Sequence, residues 1–294
     1  MKNDPLFFTA LARQLGLIYM VSICLCANVR AEVPASAFGV WDRGSSFDPK
    51  EYPFLKGLTF NERWAAVERE PGVFDWSGLD QAVEKAFQSK SYVYLALGAG
   101  PEAPDWIYEH GVPKVFTDDI KHQGKWKHYP YYLAPAYKTY FERVITELGK
   151  HIRGYPKGKQ DWIAFVQVKS GCTGDEAAYK GEPKNSQYAL DKQSPEWLAF
   201  RLETFALHVK TFQEGPGRPI DLLFNCVAAD QKGNPVYMEE WDWVASHVKG
   251  GFGIKNGALS RGHHMSGERS LYDKWTPYLI DPQGLTLFRR SEMD

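Results

Sequence analysis

The sequence predicts an α/β fold and, within that class, a (β/α)8 TIM barrel that is truncated after strand seven. From Phe38 onward, short apolar runs alternate with amphipathic segments, the pattern of parallel strands joined by helices. The 294 residues suit one barrel domain. No glycine-rich phosphate turn follows the first apolar run, so an open doubly wound sheet is the second choice.

Seven apolar runs are predicted to be strands. The third run, SYVYLALGAG, is apolar almost throughout, as expected for a strand that is buried on both faces. Because seven β/α steps fall one short of a closed barrel, we expect the chain to be a fragment that lacks the last strand and helix. In chain order the predicted strands are residues 37–41, 57–64, 91–100, 162–168, 220–227, 251–258 and 285–294.

The segments between the strands predict helices. Residues 77–89 place apolar side chains at helical spacing, and Ser77 is the expected N-cap. Further helices are predicted over residues 134–153, 195–213 and 235–250. A loop of about 30 residues follows the third strand without strong periodicity, and loops of that length usually serve a site.

Residues 1–31 are predicted to be a secretory signal peptide. An apolar run of about 13 residues, LGLIYMVSICLCA, is too short to cross a bilayer of about 30 Å as a helix. Val29 and Ala31 occupy the positions that a signal peptidase reads, so we expect cleavage near Ala31. The mature barrel domain is then residues 32–294, in a secreted or periplasmic protein without membrane attachment.

The composition indicates what kind of ligand the mature domain binds. A formal net charge of -1 gives no electrostatic reason for binding nucleic acid. Aromatic residues make up 15% of the chain, and Trp and Tyr suit ligands such as sugars that need both an apolar face and hydrogen bonds. We expect no cofactor and no metal, and the oligomeric state stays open. Cys172 and Cys226 remain after export, which permits a disulfide between them without requiring it.

Reacting groups in a (β/α)8 barrel lie at the carboxyl ends of the strands and in the loops that follow them. Cleavage of a glycosidic bond requires two carboxylates on facing strand ends, and Glu176 and Glu292 are the predicted pair. The residues found at these positions are Trp41, Asp42, Asn61, Glu62, Arg63, Trp64, Glu102, Trp106, Lys169, Asp175, Glu176, Asn225, His263, His264, Arg290, Glu292 and Asp294.

Three stretches resemble the clan of retaining (β/α)8 glycoside hydrolases that contains the family 42 β-galactosidases and many marine polysaccharide hydrolases such as agarases and carrageenases. They are GLTFNERWAAVEREPGVFDWSGLDQAVEKA, YVYLALGAGPEAPDWI and the terminal FRRSEMD. The resemblance implies an acid/base glutamate after strand four and a nucleophilic glutamate at strand seven, which by position are Glu176 and Glu292. It implies a hydrolase of O-glycosidic bonds in a poly- or oligosaccharide, for example a β-galactoside or an acidic galactan, and the signal peptide adds that this hydrolase is secreted.

The sequence departs from the clan at strand four, where an Asn-Glu pair usually ends the strand. Here Gln167 and Val168 end it, and Asp175 precedes Glu176 several residues later, so Asp175 is the alternative acid/base. Predicted substrate-binding residues are Trp41, Arg63, Trp64, Trp106, Asp175, Asn225, His263, His264 and Arg290.

Two other functions stay open at this point. One is a catalytically inactive carbohydrate-binding protein of the same fold, because a fold alone does not fix function. The other is a barrel enzyme of another class, such as a polysaccharide lyase with His263 as its base. Adjacent histidines without a third ligand at a recognisable spacing do not predict a metal site, so a hydrogen bond to substrate is the expected role of His263 and His264.

Overall fold

The computed structural model describes residues 34–42, 48, 51–119, 126–172, 177–191, 194–214, 217–225, 238–248, 252–258 and 287–292. All of them belong to the unit Ala31–Asp294. The predicted signal peptide lies outside the described residues, so export stays a prediction.

A single parallel sheet of seven strands organises the described residues. Each of its strands overlaps one of the seven predicted runs, which confirms the fold class as a partial (β/α)8 barrel. A short antiparallel pair, β4 with β5, lies within the long loop after the third predicted run. The strands are β1 Val40–Trp41, β2 Leu55–Arg63, β3 Tyr92–Gly98, β4 Lys114–Val115, β5 Tyr129–Pro130, β6 Ile163–Val168, β7 Asp221–Asn225, β8 Phe252–Ala258 and β9 Leu287–Glu292; in the large sheet they run β1-β2-β3-β6-β7-β8-β9.

Helices connect the strands as predicted. The helix predicted over residues 195–213 is α-helical only to His208 and continues as a π-helical turn, Val209–Gln213. The α-helices are α1 Trp64–Val67, α2 Ser77–Ser89, α3 Trp106–Glu109, α4 Pro135–Arg153, α5 Lys157–Gln160, α6 Pro195–His208 and α7 Met238–His247. Among the described residues, no helix is both long enough and apolar enough to span a membrane.

The prediction that Ser77 is the N-cap of α2 is wrong by one residue, because Trp76 occupies that position without a side-chain cap hydrogen bond. Ser77 is the first helical residue, and its backbone N–H donates to Asp75 Oδ1 at 3.0 Å, so the carboxylate of Asp75 satisfies the open helix end. Hydrogen bonds from the side chain and the backbone of Ser77 lower the pKa of Asp75.

Two apolar clusters pack against opposite faces of the sheet. The larger cluster joins alternate strand residues, such as Leu95 and Val166, to the helices. The smaller cluster contains strand residues and Ala37 but no α-helical residue, and Tyr94 stacks on Phe165 within it with ring centroids 5.0 Å apart. The smaller cluster therefore marks the inner face of the partial barrel, and the helices cover the outer face.

The loop after β2 is built around a buried carboxylate. Glu68 is fully buried and accepts hydrogen bonds from Trp64 Nε1 at 2.7 Å, from the backbone N–H of Gly72 at 2.7 Å and from the guanidinium of Arg143. Gly72 has a φ of 79°, a conformation that glycine adopts at no steric cost. Glu68 thus fixes the turn that returns the chain to α2.

Candidate functional site

Side chains from three neighbouring strand ends meet on one side of the sheet. Lys169 directly follows β6, and its Nζ lies 3.3 Å from Asn61 Oδ1 on β2. The same ammonium lies 3.7 Å from Glu102 Oε2, in the loop that leaves β3. We call Asn61, Glu102 and Lys169 the mouth cluster, because the carboxyl ends of parallel strands face the open end of a barrel.

The register of the sheet explains why these residues meet. Asn61 pairs with Ala96, Ala96 pairs with Gln167, and Gln167 pairs with Leu223. Ala96 and Leu223 belong to the inner-face cluster, so this row of paired residues borders the barrel interior. Side chains alternate between the two faces of a strand, which places Lys169, two residues beyond Gln167, on the inner side as well.

Burial differs within the mouth cluster. The side chain of Lys169 is 9% exposed, whereas that of Glu102 is 23% exposed. A nearly buried ammonium requires charged or polar partners, and Asn61 and Glu102 supply them. The carboxylate of Glu102 is the more accessible end of the ion pair.

Two glycines allow close packing beyond the end of β3. A Cβ at Gly98 would collide with the carboxylate of Glu102, so only glycine lets this side chain lie over the end of β3. A Cβ at Gly100 would collide with the carbonyl oxygen of Gly171 and would lie 2.8 Å from Tyr132 Oη. The loops after β3 and β6 therefore touch each other through their backbones.

The segment that holds Asp175 and Glu176 lies outside the described residues, but both of its ends are described. The backbone N–H of Cys172 donates to the carbonyl oxygen of Ala177 at 3.0 Å, and both Cys172 and Ala178 are fully buried. Cys226 also lies outside the described residues, so its pairing with Cys172 stays open.

A fully buried ion pair lies behind the mouth cluster. Arg201 of α6 donates from Nε and from Nη2 to the carboxylate of Glu240 of α7, the latter at 2.9 Å, and their side chains are 2% and 1% exposed. Arg201 Nη1 also donates to Ser170 Oγ at 3.1 Å. Two helices are thereby joined to the residue next to Lys169.

The remaining predicted residues on strands lie at the carboxyl ends of β7 and β9. Asn225 is the last residue of β7 and pairs with Lys255, which in turn pairs with Arg290. Glu292 is the last residue of β9 and pairs with Ala258 at the end of β8. His263 and His264 lie outside the described residues, so their roles stay predictions.

The three tryptophans predicted to bind substrate lie on different faces of the sheet. Trp64 is fully buried and Trp106 is 8% exposed; their indole N–H groups donate to the side chain and the backbone carbonyl of Glu68, respectively. Their rings meet edge to face at 6.1 Å on the helix side of the sheet. Trp41 packs on Phe165 in the barrel interior, and a Cβ at Gly57 would collide with its ring. Trp64 and Trp106 are enclosed and present no open face to a sugar, whereas Trp41 is half-buried, so the substrate contacts predicted for these three residues stay predictions.

Arg63 is the one predicted binding residue whose described side chain is exposed at a strand end. It is the last residue of β2, and its backbone N–H donates to Glu62 Oε1 at 2.9 Å. The prediction that Arg63 contacts substrate therefore stays open.

Asn61, Glu102 and Lys169 were visible in the sequence as strand-end residues but were not chosen for the site. One signal could have selected them: Lys169 comes directly after the buried strand β6. A charged residue at that point borders the barrel interior. Across the part of the chain that the structure describes, no three His, Cys, Asp or Glu side chains are grouped to hold a metal ion.

A second polar surface lies on the helices, away from the strand ends. A shallow groove of about 530 Å³ runs between α2 and α5 and is lined partly by Asp80, Tyr155 and Lys159. Asp80 Oδ1 accepts from Tyr155 Oη at 2.6 Å and lies 2.7 Å from His151 Nε2. Burial alone would raise the pKa of Asp80, but the hydrogen bonds from Tyr155 and His151 outweigh it and lower that pKa. The carboxylate is thus occupied by its own neighbours.

A partial barrel of parallel strands with charged side chains at its carboxyl ends has the arrangement in which TIM-barrel enzymes carry their active sites. The family comparison is more specific. Residues 59–189, from β2 to beyond the loop after β6, match the glycoside hydrolase family 42 model, which is described as β-galactosidase. The chain therefore contains a glycoside hydrolase family 42-like TIM-barrel domain.

Solved structures with a similar fold include β-galactosidases and xylanases. The cold-adapted β-galactosidase of Rahnella sp. R3 has a TM-score of 0.51 and 13% identity, and the match covers 88% of this chain and 46% of that one. The β-galactosidase of Halorubrum lacusprofundi has a TM-score of 0.44 and 15% identity, and the match covers 74% of this chain and 39% of that one. Xylanase 10B of Thermotoga petrophila RKU-1 has a TM-score of 0.47 and 15% identity, and the match covers 85% of this chain and 67% of that one.

At 13% identity, the likeness to the Rahnella structure concerns the fold alone. The chain spans less than half the length of the two β-galactosidases. No curated protein sequence is a significant match to it.

Proposed function

We propose that the protein is a secreted glycoside hydrolase that cleaves O-glycosidic bonds of a poly- or oligosaccharide by a two-glutamate retaining mechanism. The observation that carries the proposal is the family match over residues 59–189, which includes Glu176. A second support is the backbone position of Glu292 at the carboxyl end of β9. A β-galactoside or an acidic galactan is the proposed substrate, since the matched family is described as β-galactosidase.

The two glutamates would divide the chemistry. Glu176, with Asp175 as the alternative, would protonate the leaving oxygen while Glu292 attacks the anomeric carbon and forms a glycosyl-enzyme intermediate. Glu176 would then act as a base, remove a proton from water and allow that water to release the sugar with its configuration retained. Such a mechanism requires carboxyl groups about 5 Å apart, whereas about 6.5 to 9.5 Å would give inversion.

Substitution of either glutamate tests the mechanism. With p-nitrophenyl β-D-galactopyranoside, Glu176→Gln and Glu292→Gln should each lower kcat by about 100-fold to 10,000-fold. Glu182→Gln is the matched control, because Glu182 is an exposed carboxylate six residues from Glu176. NMR of the first anomer released from the wild type distinguishes retention from inversion. Full activity in either active-site variant would refute the assignment.

A binding protein without turnover is the second candidate, and the end of β6 favours it. The first residue after that strand is Lys169, not a carboxylate, and its ammonium is held by Asn61 and Glu102. Binding of galacto-oligosaccharides without any release of reducing sugar over long incubation would support this candidate over the hydrolase.

Export is proposed from residues 1–31 and is tested separately. Sequencing the amino terminus of the mature protein from periplasmic and culture fractions should find it near Ala31. An uncleaved amino terminus in the cytoplasmic fraction would contradict export.

A further inference from the structure

We propose that Glu102 selects the substrate by accepting a hydrogen bond from one sugar hydroxyl, and that Lys169 is the residue that positions it. The inference rests on the proposed function, since it places a sugar at the carboxyl end of the sheet. It adds a specificity-determining residue to a site otherwise assigned to Glu176 and Glu292.

The backbone of Glu102 is fixed at the carboxyl end of the sheet. Its carbonyl oxygen accepts a hydrogen bond from the backbone N–H of Ala65 at 3.0 Å, which ties the loop after β3 to the first turn of α1. Ala103 next to it is buried. The side chain therefore starts from a fixed point, which a residue that discriminates between hydroxyl groups requires.

The carboxylate of Glu102 has acceptor capacity left over. Among the described residues it makes an ion pair with Lys169 at 3.7 Å and no hydrogen bond. An ionised carboxylate offers about four lone-pair positions, and the 23% exposure of this side chain leaves part of it accessible to solvent. Sugar hydroxyls are donors of the kind that fill such positions.

Lys169 holds that carboxylate in place. Its ammonium is nearly buried and also lies within hydrogen-bond distance of Asn61 Oδ1, so it cannot follow Glu102 into solvent without losing a partner. Gly98 completes the arrangement, because any side chain there would displace the carboxylate. Lys169 acts through Glu102 and is a positioning residue.

The chemistry predicts a defined selectivity. A site that hydrogen-bonds a substrate hydroxyl rejects the analogue that lacks it, because its own polar group is then left unpaired. A hydrogen bond to a charged group corresponds to a discrimination of about 10-fold to 100-fold. One deoxygenated position of the sugar should therefore depend on Glu102, and the others should not.

The test measures kcat/KM of the full chain with p-nitrophenyl β-D-galactopyranoside and its 2-, 3-, 4- and 6-deoxy analogues. In Glu102→Gln, the penalty for one deoxy position should shrink by about 10-fold or more relative to the wild type, while the other penalties stay unchanged. Glu109→Gln removes an exposed carboxylate from α3 and is the matched control, with wild-type penalties at every position. Identical penalties in Glu102→Gln and the wild type would overturn the inference.

Lys169 is tested by rescue. Lys169→Met should reduce the same single deoxy penalty, and Lys169→Arg should restore it at least in part, with thermal melts to verify that both variants are folded. A loss of overall rate in Lys169→Met with all penalties intact would reduce Lys169 to a structural role and overturn its part of the proposal.

Failure of the hydrolase proposal gives a distinct result. If the wild type hydrolyses none of the galactosides, ligand-observed NMR with D-galactose and its monodeoxy analogues replaces kinetics. Binding whose dependence on one hydroxyl disappears in Glu102→Gln would support the inference in a non-catalytic protein. An absence of binding by the wild type would overturn both proposals.

Discussion

Two carboxylate–cation pairs flank the end of β2, and they differ in how completely the protein satisfies them. Glu68 is fully buried and accepts from Trp64, Gly72 and Arg143. Glu102 is 23% exposed and has an ion pair of 3.7 Å with Lys169. The first carboxylate is occupied by the fold itself, and the second retains capacity for a ligand.

The number of hydrogen bonds that each carboxylate accepts distinguishes a structural charge from a functional charge in this barrel. Both glutamates follow strand ends in the sequence, so position alone does not distinguish them. Hydrogen-bond saturation does, because a buried carboxylate with all its partners inside the fold has nothing left to offer a substrate. Substitution of one partner at a time tests which carboxylates are structural and which are functional.

The largest effect is expected at the ion pair between Arg201 and Glu240. Arg201→Met leaves the carboxylate of Glu240 buried without its cation and should lower the free energy of unfolding by about 4 kcal/mol. Urea unfolding followed by tryptophan fluorescence measures the change. A loss below about 1 kcal/mol would mean that the pair is not desolvated as its burial implies.

Glu68→Ala should be the next most destabilising change. It removes the acceptor of the Trp64 indole N–H and leaves Arg143 without its partner, at an expected cost of about 3 kcal/mol. The selectivity among deoxy sugars should remain as in the wild type at temperatures where the variant is folded. A change in that selectivity would contradict the structural role assigned to Glu68.

His208 provides a buried titratable group whose effect depends on pH. Burial lowers its pKa from 6.5 to about 4, although a hydrogen bond with the carbonyl of Thr204 opposes the shift. The unfolded chain therefore binds the proton first, and stability that is complete above pH 6.5 falls by about 2 kcal/mol between pH 6.5 and 4.5. Unfolding free energies of the wild type and His208→Phe across this range should show a flatter profile in the variant, and equal slopes would refute the assignment.

Gly98→Ala should have the smallest effect on stability. The new methyl group displaces the flexible carboxylate of Glu102 and should cost about 1 kcal/mol or less. Selectivity among the deoxy sugars should nevertheless change as it does in Glu102→Gln. The reverse result, a large loss of stability with unchanged selectivity, would show that Gly98 serves packing alone.

Much of the sheet could be predicted from sequence, because its strands carry a strong local signal. β3 and β6 are buried on both faces and are read as continuous apolar runs. The cap of α2 was missed because Ser77 is a good capping residue, whereas the position before the helix is occupied by Trp76, whose side chain makes no cap hydrogen bond.

The site was less predictable because the direction of a side chain depends on backbone that turns immediately after a strand. Trp64 follows Arg63 directly, but the chain enters α1 at that point and carries the indole to the helix side. The pairing of Lys169 with Asn61 joins residues 108 positions apart, and no periodicity reports such a contact. Charge and position identified the candidates, and only the packing shows which of them meet.

The close approach of Gly100 to Gly171 has a consequence for motion. Because the two loops touch through backbone atoms, neither can move outward without losing contact with the other. Their amides should therefore exchange with solvent deuterium as one cooperative unit, which hydrogen exchange of the native protein would detect as shared opening kinetics. A sugar held by either loop would slow exchange in both.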